Sequence, residues 1–133
     1  MRLPCVDLKL VQRLAEEDRF ALSGGPACLG ALESYLHGEL GRYLPLAQAV
    51  IRELRLEDFH RSRRWPEPGG ELADEYGIRL PRAVLDAFEV EVSTWYIKVT
   101  VRRNRQGELL FFMSLHPLAF EMVRNEGLLK PER

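Results

Sequence analysis

The sequence predicts an α+β fold in which N-terminal helices pack on a small antiparallel β-sheet. Two periodicities and one gap carry that reading. Apolar residues recur at helical spacing through roughly the first sixty positions, and from Glu89 onward the period drops to two. Between them, 61–82 is rich in Pro, Gly and charge and reads as an irregular insertion. Helical segments followed by strands give a sheet that the helices can cover.

The first helix is marked by Leu8, Val11, Leu14 and Ala15 on one face, with Asp7 placed to cap it. Ser23-Gly24-Gly25-Pro26 stops it, and Pro26 suits the first turn of a second helix over Ala27 to Leu36. Gly38 and Gly41 bound a break. Pro45 then opens a third helix carrying Leu46, Ala49, Val50, Ile51 and Leu54, with one more turn at Leu56 to Phe59. Pro81 to Phe88 fits either a helix or a strand.

The sheet is assigned to 83–116. Trp95, Ile97, Val99 and Val101 alternate with Tyr96, Lys98, Thr100 and Arg102, and Glu108 to His116 is the partner strand. A three-residue loop, Arg105-Gln106-Gly107, pairs Asn104 with Glu108, Val101 with Phe111, Val99 with Met113 and Ile97 with Leu115. The same register sets Tyr96 opposite His116 and Lys98 opposite Ser114. In the tail, 117–133, Leu118 to Arg124 reads as a short C-terminal helix closed by Gly127.

The chain has 133 residues, the size of a single domain. It holds 19 Lys and Arg against 20 Asp and Glu, so bulk positive charge does not draw it to nucleic acid or membrane. Two cysteines, Cys5 and Cys28, suit reduced thiols that pack as small hydrophobes in a cytoplasmic protein. No apolar run reaches the ~18 residues of a membrane span, and the N-terminus lacks the apolar core of a secretory signal.

The polar face of the hairpin carries Tyr96, Lys98, Arg102, Ser114 and His116. A histidine, a tyrosine and cations in one cross-strand neighbourhood suit phosphodiester cleavage: proton removal from a 2′-hydroxyl, protonation of the leaving oxygen, and stabilisation of charge on phosphate. The plainer reading of such a face is solvated polar surface. Arg61, Arg63 and Arg64 form one basic patch beside His60. Lys98, Arg102, Arg103 and Arg105 form another. These patches can hold an RNA backbone, or join an internal salt network with the seven acids between Glu67 and Glu91. His37, His60 and His116 are too widely spaced for a metal-ligand pair, and no motif calls for a metal or another cofactor. Trp95 and Phe112 read as core aromatics.

Ile51-x-x-Leu54-x-x-x-Asp58-Phe59-x-Arg61-Ser62 resembles the end of the N-terminal region in the MqsR family, RelE-like toxins of bacterial toxin–antitoxin systems. Trp95-Tyr96-Ile97-Lys98-Val99-Thr100-Val101, followed by a turn and Leu110 to His116, resembles that family's central hairpin. The resemblance implies a metal-independent mRNA endoribonuclease on a RelE-like fold, neutralised by an antitoxin. It sets Arg61 at the family's catalytic lysine, Tyr96 at its strand tyrosine and His116 at its last-strand lysine. The family's glutamine falls near Leu85. Extra residues around Trp65 to Arg82 and the tail after His116 depart from the pattern, as in a related effector toxin. On this reading Arg61, Tyr96 and His116 are catalytic, and Arg63, Arg64, Lys98, Arg102 and Arg103 hold RNA. The alternative is a non-catalytic interaction module: an antitoxin, immunity or regulatory protein.

Overall fold

The computed structural model describes residues 1–36, 40–66 and 69–132, so His37, Gly38 and Glu67, named above, lie outside the described residues. The fold is α+β. Helix α1 (Leu8–Glu16) starts at Asp7, whose carboxylate accepts the Lys9 N–H, and buries Leu8, Val11, Leu14 and Ala15. Asp18, in the left-handed region at φ 58°, ends that turn of chain. Helices α2 (Leu29–Leu36) and α3 (Tyr43–Glu53) follow, and a 3-10 turn (Leu56–Asp58) leads out of α3.

The sheet is larger than expected and mixed. Strands β1 (Phe20–Leu22), β2 (Phe59–Trp65), β3 (Glu71–Arg79), β4 (Thr94–Asn104) and β5 (Gly107–Pro117) lie in the order β1-β5-β4-β3-β2. The short β1 runs parallel to β5 and the other pairs are antiparallel. Three residues between a helix and Ser23-Gly24-Gly25 are too few to show a period. The edge strand is fixed by tertiary contact, with Phe20 edge-on to Phe112 at 5.8 Å.

The expected irregular insertion at 61–82 is a β-hairpin made of β2 and β3. Its alternation is hidden because the inward positions of β3 are Asp74, Tyr76 and Ile78 and the outward ones Ala73, Glu75 and Gly77. Both acids are buried, which reverses the usual meaning of an acidic residue in a periodicity reading. Asp74 is satisfied by the Cys5 and Val6 N–H groups at 2.9 and 3.0 Å and by the Ser62 hydroxyl. Pro81 to Phe88 resolves as helix α4 (Arg82–Phe88).

The β4–β5 register is as expected for Ile97, Tyr96 and Lys98, opposite Leu115, His116 and Ser114. It differs nearer the turn. Asn104 pairs with Gly107, Val101 with Leu110 and Val99 with Phe112, and the chain realigns through a bulge at Met113. Gly107 takes the positive φ of 114° that the turn requires. The bulge lets Leu110, Phe112 and Leu115 all enter the core, where each is fully buried.

Helices α1, α2 and α3 cover the inner face, against Phe59, Tyr76, Trp95, Ile97, Leu110 and Phe112. Cys28 packs there, its burial pushing the thiol up to about 11, whereas Cys5 is exposed rather than packed. The expected C-terminal helix is instead a second, two-stranded sheet, β6 (Met122–Arg124) and β7 (Gly127–Leu129). Gly127 at φ 117° makes its turn, and so short a segment gains little from helix formation alone. This hairpin lies on the outer face of the main sheet. Met122 and Leu129 pack with Leu118 and Tyr96, and Gly77 leaves the space that the Met122 sulfur fills. Arg124 anchors it to Asp58 and the Gly77 carbonyl at 3.0 and 3.1 Å. No helix among the described residues is long and apolar enough to cross a membrane.

Replacing Asp74 with Ala leaves the Cys5 and Val6 N–H groups and the Ser62 hydroxyl without their partner in a partly buried place. The expected cost is about 2–4 kcal/mol, read as a lower midpoint in chemical denaturation.

Candidate functional site

The outer face carries two neighbouring rows of residues across the sheet. One runs Arg61, Glu75, Lys98, Ser114, and the next Gly77, Tyr96, His116. The Tyr96 hydroxyl reaches diagonally to donate to Glu75 Oε1 at 2.7 Å, while Arg61 Nε donates to Glu75 Oε2 at 2.9 Å. The Tyr96 and His116 rings lie 5.1 Å apart, tilted by 33°. Arg61, Tyr96 and His116, taken from β2, β4 and β5, therefore line one cleft. Its volume is about 320 Å³, and His60, Trp65, Glu75 and the segment from Leu118 to Met122 form the rest of its walls.

Glu75 is the residue that sequence reading missed. Its side chain is 3% exposed, yet it stood only as one acid in a charged run. The signal available was its place two residues from Gly77 in a strand whose period the buried acids obscured. Both oxygens are engaged, so it orients its two partners and offers no open face to a ligand. The terminal nitrogens of Arg61 make no hydrogen bond to the described residues, and its side chain is 41% exposed. They remain able to grip an anion in bidentate fashion. Burial, then the Glu75 hydrogen bond and charge, hold the Tyr96 phenol well above its ordinary range, so this group keeps its proton and acts as a donor.

His116 Nδ1 lies 2.7 Å from the Pro117 carbonyl. A carbonyl only accepts, so Nδ1 carries the proton and a neutral ring keeps its lone pair on Nε2. That tautomer makes Nε2 a base. His60 repeats the device, its Nδ1 2.5 Å from the Val123 carbonyl.

The residues read as RNA-binding divide between the two faces. Lys98 Nζ sits 3.7 Å from the centre of the Trp65 ring, and Arg63 Cζ sits 4.4 Å from it. Burial draws the Lys98 ammonium below its usual range, with Arg63 adding to the effect and Glu75 opposing it. Arg102 lies over the Phe111 ring at 3.8 Å and pairs with Glu71 through two hydrogen bonds of 2.8 and 2.6 Å. Arg64 and Arg103 alternate onto the opposite face, where Arg64 donates to the Gly70 carbonyl and Arg103 pairs with Glu108. They are not part of the cleft surface. Leu85, placed by resemblance at a catalytic glutamine, is buried in α4 and far from this face in the layering of the fold. Among the described residues, no three of His, Cys, Asp and Glu group as a metal ion would need.

No protein-family model, curated protein or solved structure matches this chain.

The phenols give a pH test. Tyr96 and Tyr76 are both held above the ordinary phenol value of 10.0, chiefly by burial. Their contribution to stability is fully present below the unfolded value and is lost as pH rises past it, because the unfolded chain then ionises first. Unfolding midpoints are expected to fall steeply above pH about 10, and Tyr96→Phe is expected to flatten that fall.

Proposed function

We propose that the protein is a metal-independent endoribonuclease, a RelE-like toxin akin to the MqsR family or to related effectors. The observation that carries this reading is the convergence of Arg61, Tyr96 and His116 in one open cleft around Glu75. Each residue has a part in attack by a ribose 2′-hydroxyl on the adjacent phosphate. His116 Nε2 takes the hydroxyl proton as the O2′–P bond forms and the P–O5′ bond breaks. The Arg61 nitrogens bear on the phosphate oxygens as charge grows there. The Tyr96 phenol fixes Glu75 and packs against the imidazole, which sets both the clamp and the base. Lys98 and Arg63 on Trp65, and Arg102 on Phe111, extend a cationic and aromatic surface from the cleft, suited to an RNA backbone and its bases. The substrate proposed is mRNA, and the product a 2′,3′-cyclic phosphate.

A second reading, a non-catalytic interaction module, is favoured by the small C-terminal sheet and its approach. Phe120, Val123 and Leu128 are 82%, 57% and 52% exposed, an apolar group beside the cleft. For a toxin the same surface suits a cognate antitoxin or immunity protein.

Purified protein is expected to cleave RNA in excess chelator. His116→Ala is expected to lower the rate about 100-fold or more with the circular dichroism spectrum unchanged. Cleavage abolished by chelator would replace this mechanism with a metal-dependent one. Expression of the wild type is expected to arrest host growth, and His116→Ala to relieve the arrest. A harmless wild type that also leaves RNA intact would favour the interaction module.

A further inference from the structure

Cleavage by a 2′-hydroxyl leaves one proton unaccounted for. The base removes it from O2′, and the departing O5′ needs another. We propose that His60 is that second proton-transfer residue, the general acid paired with His116 as base; the proposal rests on the ribonuclease reading above. His60 and His116 line the same cleft from β2 and β5, the strands that flank β3 and β4, which carry Glu75 and Tyr96. Each directs Nδ1 at a backbone carbonyl, Val123 for His60 and Pro117 for His116. In both rings that contact fixes the orientation and leaves Nε2 for the ligand.

His60 sits at a register shift between β2 and β3, the irregularity falling between Phe59 and Arg61. The bulge aims its ring at the second sheet while the next residue, Arg61, stays over Glu75. Proton donor and phosphate clamp are thus successive residues of one strand. The charged and titratable groups around His60 are Arg61 on its own strand, Glu75 on β3, Tyr96 on β4, His116 on β5 and Glu121 beside β6. Arg2 also belongs here, since its Nη2 donates to the same Val123 carbonyl at 3.4 Å.

The step balances within the cleft. The O2′ proton passes to His116 Nε2, the O2′–P bond forms, the P–O5′ bond breaks, and His60, entering the step as an imidazolium with protons on both ring nitrogens, gives the one on Nε2 to O5′. A cyclic phosphate and a 5′-hydroxyl result, with His116 protonated and His60 neutral, and exchange with water resets both. A single imidazole in a cleft gives no such complementary pair. In the sequence His60 stood only as the neighbour of a three-arginine patch, in a stretch without a visible period, and was given no catalytic role.

A substrate whose leaving atom needs no proton separates this role from any other. An RNA oligonucleotide that the wild type cleaves is compared with the same sequence carrying sulfur in place of O5′ at the cleaved bond. His60→Ala is expected to slow cleavage of the oxygen substrate about 100-fold, yet cleave the sulfur substrate within a few-fold of wild type. His116→Ala is expected to be slow on both. His60→Asn keeps a donor for the Val123 carbonyl and is expected to behave as His60→Ala does. The proposal is overturned if His60→Ala cleaves the oxygen substrate at the wild-type rate, if it is equally impaired on both substrates, or if His60→Asn restores the oxygen substrate. Failure of the wild type to cleave any RNA would instead overturn the ribonuclease reading, and the role of His60 with it.

Discussion

A carboxylate with almost no exposure must be paired where it lies, and Glu75 imposes that condition on the outer face of the sheet. Its two oxygens draw a guanidinium from β2 and a phenol from β4 onto a single point of β3. Without that anion, Arg61 would be a long side chain free to extend into water. With it, the guanidinium is held by Nε and presents its other nitrogens outward. The same carboxylate fixes the Tyr96 hydroxyl and thereby the ring against which His116 rests. The cleft is pre-organised by one buried charge.

The second sheet completes this arrangement. Gly77 lies in the Tyr96 row, and the missing side chain admits Met122, so β6 and β7 close over one end of the outer face. The buried Arg124–Asp58 pair and the hydrogen bonds from Asn125 and Glu126 to the Phe59 and Glu57 carbonyls hold that cover to the start of β2. The open sheet face becomes a walled cleft with His60 and His116 both in its lining. The walls raise the strength of every electrostatic contact inside by keeping water partly out.

Periodicity made the helices and the central hairpin legible. α1 announced its buried face and its cap at Asp7, and the Tyr96–His116 and Lys98–Ser114 pairings were reached from alternation and an expected three-residue turn; the turn is one residue shorter, and the bulge restores those pairings. The bulge at Met113 was not legible, because a shifted register still set apolar residues against one another. Strands β2 and β3 were missed for a sharper reason. Asp74 and Glu75 occupy buried positions with dedicated partners, and a pattern of hydrophobicity cannot show partners contributed by distant chain. The tail was missed because Met122 and Leu129 find their apolar surface on Tyr96, a contact no local pattern encodes. Of the cleft, sequence reading supplied Arg61, Tyr96 and His116. The anion that organises them, and the place of the second imidazole in the same cleft, came only with the fold.

The central claim is that one phosphate is held between the Arg61 guanidinium and the two cleft imidazoles. It is tested most directly by recording the histidine ring nitrogens by NMR during titration with a ribonucleoside 3′-monophosphate. The account requires His60 and His116 signals to move together on one binding isotherm, with Arg61→Ala weakening that isotherm for both. Signals that stay still at saturating ligand, or that follow separate isotherms indifferent to Arg61, would contradict it.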